Sequence, residues 1–164
     1  MQPPAGADGA LRTVSPHLHR GPDIGPGEAA IAAAMRLKPV YDRLSALLGQ
    51  AAGFLLLTTA GGNPETARLH LISLRAQYAE IEESLRRMAP QPFLPASDDA
   101  LRRALPLIGE IVEALADRPP ASGGPLPALL GRLLEARRLL LAGSAPRLGM
   151  GLVDLSGACC AGSH

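Results

Sequence analysis

Two groups of residues in this chain have the types and spacing to bear chemistry. Cys159, Cys160 and His164 form a Cys-Cys-x-x-x-His run, and His17 and His19 stand near the opposite end. Thiolate and imidazole together suit Zn or Cu(I). Such a site would require both ends of the chain to order around one ion, so no metal is expected. The second group is carboxylate: Glu80 with Glu83, and Glu110 with Glu113, each three residues apart. A di-iron bundle needs Glu-x-x-His pairs projecting inward from its helices. No Glu here has a His three residues on. These acids therefore read as exposed charge.

His70 is the one histidine that falls within a predicted helix, beside an apolar seam. The run His70-Leu71-Ile72-Ser73-Leu74-Arg75 resembles histidine-phosphotransfer bundles in a single respect, a helical histidine on a four-helix scaffold. That resemblance implies a phosphoryl group on His70, neutralised by a nearby cation. The basic residue usual three positions on is Ser73 here, and the small glycine after it is Leu74. Arg68 and Arg75 are the available substitutes. Phosphoryl relay is thus the third reading, behind a boundary histidine without a catalytic task.

Other enzyme templates are missing. There is no Gly-x-Ser-x-Gly elbow, no phosphate loop ending in Gly-Lys-Ser/Thr and no His-Glu-x-x-His. Gly149-Met150-Gly151 lacks a third glycine and a preceding strand. No catalytic, cofactor-binding or metal-binding set is assigned, and a non-enzyme is expected.

Composition narrows the partners. Net charge is +1, and Lys38 is the only lysine among sixteen basic residues, so no basic footprint for nucleic acid exists. Only Tyr41, Phe54, Tyr78 and Phe93 could stack on bases. The two cysteines are adjacent, a spacing that strains a mutual disulfide, so a reducing compartment, the cytoplasm, is expected.

The elements that must position these residues are helices. After Asn63-Pro64 the apolar residues Ala67, Leu71, Leu74, Tyr78, Ile81, Leu85 and Met88 recur every three or four positions. That is the seam of a helix packed on helices. Asn63 is the predicted N-cap, Pro64 the first helical residue, and Pro90 and Pro92 the stop. A first helix from about Glu28 to Thr59 carries Leu37, Tyr41, Leu44, Leu48, Ala51 and Leu55 on its stripe, with a kink or break expected at Pro39. A third starts at Ser97 as cap and buries Leu101, Leu105, Ile108, Val112 and Leu115. A fourth, roughly Leu126 to Ala142, turns Leu126, Leu130, Leu133, Leu134, Leu140 and Leu141 inward and ends on Gly143. Glu82–Arg86, Glu83–Arg87, Asp98–Arg102 and Asp99–Arg103 are expected surface pairs.

Short links favour antiparallel neighbours. The expected fold is all-α, an antiparallel up-down four-helix bundle over 27–143, its first helix kinked near Pro39. Residues 1–26, with five of the sixteen prolines, and 144–164, rich in Gly, Ser and Ala, are expected to be flexible tails.

Between Arg43 and Glu65 lie 21 uncharged residues, Leu44–Pro64. Leu44–Gly62 could anchor the chain in a membrane, or, read from Met35 as an alternative start, serve as an export signal. The strongly apolar part, Leu44–Leu57, suits a buried helix better than a span. Ala46, Gly49 and Gly53 make a small-residue face, expected to pack on the second helix. Phe54, Leu55, Leu56 and Leu57 surround one turn, more apolar surface than a bundle's seam uses. The expected function is therefore a non-catalytic module that binds a protein partner, or itself, through Phe54–Leu57. Membrane attachment is the alternative.

Overall fold

The computed structural model describes residues 26–61, 63–117 and 126–152. Four helices account for most of them: α1 (Pro26–Thr59), α2 (Pro64–Arg87), α3 (Pro95–Asp117) and α4 (Leu126–Ala142). No strand occurs among the described residues. The contacts between helices define their directions. Along α1 and α2, Arg43 pairs with Glu80, Gln77 donates to Gln50, and Phe54 stacks at a tilt on His70. Partners later on one helix are earlier on the other. The same inversion holds for α2 with α3 (Arg75–Glu113, then Arg102 on the Leu85 carbonyl) and for α3 with α4 (Glu110–Arg132, then Ala100 beside Gly143). The fold is the expected antiparallel up-down bundle.

Each seam read from the periodicity lies in the core or against it. Leu37, Tyr41, Leu44, Leu48, Ala51 and Leu55 of α1 are buried, as are Leu101, Leu105, Ile108, Val112 and Leu115 of α3. On α2 the buried positions are Leu74, Ile81 and Leu85, flanked by the partly buried Ala67, Leu71, Tyr78 and Met88. The fourth seam differs from its expectation. Leu129, Leu133, Ala136 and Leu140 point inward, whereas Leu130 and Leu134 are exposed. In a helix this rich in leucine, two adjacent stripes fit a 4–3–4 spacing equally well, and contact with α3 decides between them.

Other local expectations are refined. Asn63 caps α2 as predicted, its Oδ1 accepting from the Glu65 amide at 2.9 Å. α1 runs through Pro39 as one helix, without a separate short helix before it. Pro39 and Met35 both face solvent, so the carbonyl deprived of its N–H lies on the hydrated side. α3 begins at Pro95, two residues before Ser97, and Ser97 and Asp98 are buried inside its first turn. Asp98 accepts from Arg102 at 3.1 Å, and the same guanidinium donates to the Met88 and Leu85 carbonyls. One ion pair thus ties the start of α3 to the carbonyl end of α2, where positive charge is favoured.

Two glycines matter through close approach. A Cβ on Gly143 would stand 2.8 Å from Ala100 Cβ, so α4 ends where only hydrogen fits against α3. On Gly109 it would stand 2.6 Å from Tyr78 Oη, which crosses α3 there.

The compact unit extends beyond the expected boundary at Gly143. Residues 144–152 turn back: Ala145 and Met150 exchange two backbone hydrogen bonds around a short 3-10 turn (Pro146–Leu148), with Gly149 at φ 77°. Met150 is fully buried. Met150 and Leu148 supply apolar surface to the core, which seats 144–152 on the bundle. Residues 1–25 and 153–164 lie outside the described residues.

Candidate interaction surface

α1 presents its inner stripe to the core and, on the opposite side, a face without charge. Beyond Arg43 that face comprises Ala46, Gly49, Gly53, Leu56, Leu57 and Ala60. The four residues singled out in the sequence divide here. Phe54 and Leu55 are 3% and 2% exposed and belong to the core, whereas Leu56 and Leu57 are 69% and 58% exposed. A helix turn spreads four consecutive side chains around the axis, so two had to face inward. Only Leu56 and Leu57 are accessible to a partner.

The small-residue face also differs from its expected packing. A Cβ at Gly49 or Gly53 would meet nothing within 4 Å, so α2 does not cover this strip. It lies open between two clefts. On the α2 side, Leu57 walls a small cleft of about 130 Å³ with Thr66, Ala67 and His70. On the α4 side, Ser45, Leu48, Gly49 and Ala52 face Leu130, Leu133, Leu134 and Arg137 across a groove of about 350 Å³. Sequence reasoning missed the exposure of Leu130 and Leu134 and that of Leu69 and Ile72 on α2. Leu69 and Ile72 fall outside the α2 seam, and this spacing was the available signal.

Toward the other end of the bundle, charge is held in closed pairs. Glu83 accepts from Arg87, as expected, and also from Arg86, the residue expected to pair with Glu82. The Arg86 hydrogen bonds, with those of Arg87, hold the Glu83 carboxyl down at about 2. Glu82 instead lies 3.5 Å from Tyr78 Oη. Burial, reinforced by the Glu82 charge, pushes the Tyr78 phenol up. Burial acts likewise on Tyr41, which donates to the Leu140 carbonyl at 3.2 Å. Asp98–Arg102 and Asp99–Arg103 form as expected.

His70 is exposed at the edge of the α2-side cleft, its ring centroid 6.4 Å from that of Phe54. The two cations suggested for phosphoryl relay are engaged elsewhere, Arg68 with Glu65 and Arg75 with Glu113. Among the described residues no three His, Cys, Asp or Glu side chains gather as a metal site. Cys159, Cys160, His164, His17 and His19 lie outside the described residues. No helix among the described residues is long and apolar enough to cross a membrane. Leu44, Leu47, Leu48, Ala51, Phe54 and Leu55, which would have faced lipid in a Leu44–Gly62 anchor, are the inner side of α1.

No family model, curated protein or solved structure matches this chain.

Proposed function

We propose that this bundle is a non-catalytic interaction module whose binding surface is the uncharged outer face of α1. One observation carries the reading. Leu56 and Leu57 project into solvent at the end of a helix face that has no charge beyond Arg43 and no side chain covering Gly49 or Gly53. Exposed apolar side chains gathered on one face mark association surfaces. The open glycines let a second backbone come near, so a helix of a protein partner or of a second copy fits best. Paired charges flanking the strip set its orientation. The same reading puts the chain in the cytoplasm, where adjacent cysteines stay reduced.

Leu56→Arg tests it. The substitution adds a charge at a position already in water, so helicity and unfolding midpoint should stay unchanged. Stoichiometric co-purification with a partner, or self-association in sedimentation, should be lost. Association that survives in a folded Leu56→Arg chain would move the surface elsewhere.

A further inference from the structure

Leu56 and the groove between α1 and α4 lie on one side of α1. Ser45, Gly49 and Ala52 form the α1 wall of that groove, opposite Leu130 and Leu134. Leu56 comes four residues after Ala52 and seven after Gly49, so helical spacing continues the same row to it. One row thus carries a 69% exposed leucine and, two turns earlier, a hollow where a Cβ on Gly49 would meet nothing. A projection and a hollow on one face make that face complementary to itself, the requirement of a two-fold contact. We propose that the occupant of the α1 face is a second copy of this chain, the two α1 helices lying antiparallel about a two-fold axis level with Gly53. The proposal rests on the outer face of α1 being the binding surface and adds the identity of its partner.

Three properties select this arrangement. The first is register. An axis at Gly53 sets residues equally far before and after it opposite each other, so Leu56 of each copy falls between Gly49 and Ala52 of the other. There it meets the Leu130 and Leu134 wall of the other copy's groove. Ala46 faces Ala60 and Gly53 faces itself, small residues that let the two axes come close. A parallel pair would set Leu56 on Leu56 and leave both grooves empty. The second is charge. No charged residue occurs from Leu44 to Ala60. Antiparallel pairing brings Asp42 and Arg43 beside Pro64 and Asn63, whereas a parallel pair would oppose Asp42 to Asp42. The third is area. Ala46 to Ala60 spans about 21 Å at ~1.5 Å per residue, and two helices side by side are about 20 Å wide. The face is thus roughly 400 Å² in outline, half of the ~800 Å² that each partner buries in a standard complex. That size suits a reversible pair of complete bundles, each with its own closed core.

Single cysteines in a full-length Cys159→Ser/Cys160→Ser chain read the arrangement, because a disulfide needs Cα atoms within about 7 Å. Ala46→Cys chains and Ala60→Cys chains, oxidised separately, should stay uncrosslinked, since like positions lie about 21 Å apart along the pair. Mixed, they should crosslink unlike chain to unlike chain. Sedimentation from micromolar to near-millimolar concentration should show monomer and dimer in exchange. Gly49→Leu fills the hollow with a side chain that enters open space in the single bundle. It should raise the dimer Kd by about tenfold, the factor overpacking supplies, without lowering the unfolding midpoint of the dilute monomer. Crosslinks between like chains overturn the proposal, as does a dimer indifferent to Gly49→Leu. A chain that is monomeric at every concentration overturns it too. Capture of a different protein, lost in Leu56→Arg, would then leave the α1 surface standing without a second copy. Association indifferent to Leu56→Arg overturns both.

Discussion

Gly53 and Gly109 both lie within helices, and replacing each with alanine should move stability in opposite directions. Alanine is favoured over glycine inside a helix by about 1 kcal/mol. At Gly53 the new methyl meets nothing within 4 Å, so the whole gain of about 1 kcal/mol should appear. At Gly109 the methyl would stand 2.6 Å from Tyr78 Oη and 2.7 Å from its Cζ. Carbon atoms at rest sit about 3.5–4.0 Å apart, so the ring must retreat by roughly 1 Å. Tyr78 is a rigid ring packed on the core cluster, and overpacking of this kind costs about 1–3 kcal/mol. Set against the helix gain, Gly109→Ala should come out between neutral and about 2 kcal/mol destabilising. Urea unfolding provides the assay, since a shifted midpoint at constant slope reports stability alone. In a Tyr78→Ala background the clash is gone, and Gly109→Ala should gain about 1 kcal/mol, as Gly53→Ala does. Equal effects of the two substitutions in the parent chain, or a Gly109→Ala effect indifferent to Tyr78, would refute the packing argument.

Three other outcomes follow from the same structure. Arg102→Ala should destabilise by about 3 kcal/mol in urea unfolding, because it strands the buried Asp98 carboxylate and two α2 carbonyls. Met150→Ala should cost about 2–5 kcal/mol, the penalty of a core cavity, whereas a residue in a loose tail would cost nothing measurable. The Glu83 carboxyl should titrate at about 2, and Arg86→Ala should return its NMR midpoint toward the ordinary 4.5. Because that carboxyl is held below its unfolded value, its stabilisation is complete above the ordinary range. It is lost as pH falls from about 4.5 to about 2, so Glu83→Gln should flatten stability across that window.

The helices and their inner faces were legible in the sequence because both are local properties. The recurrence of Leu74, Ile81 and Leu85 at seven- and four-residue intervals places them on one side of any α-helix, whatever it packs against. The Asn63-Pro64 start is equally local, a side-chain acceptor next to a ring that fits the first helical position. What the tertiary structure alone decided involves residues far apart in the chain. Leu129 rather than Leu130 faces inward because α3 lies on that side of α4. Phe54 and Leu55 are core and Leu56 and Leu57 surface for the same reason on α1. Gly109 looks like a helix-weakening residue, and Gly143 like an ordinary C-cap, until Tyr78 and Ala100 are seen against them. The run after Gly143 carries little periodicity, yet one methionine buried in the core cluster holds it on the bundle. Spacing determines which side chains share a face; the direction in which that face points depends on neighbours that sequence spacing does not encode.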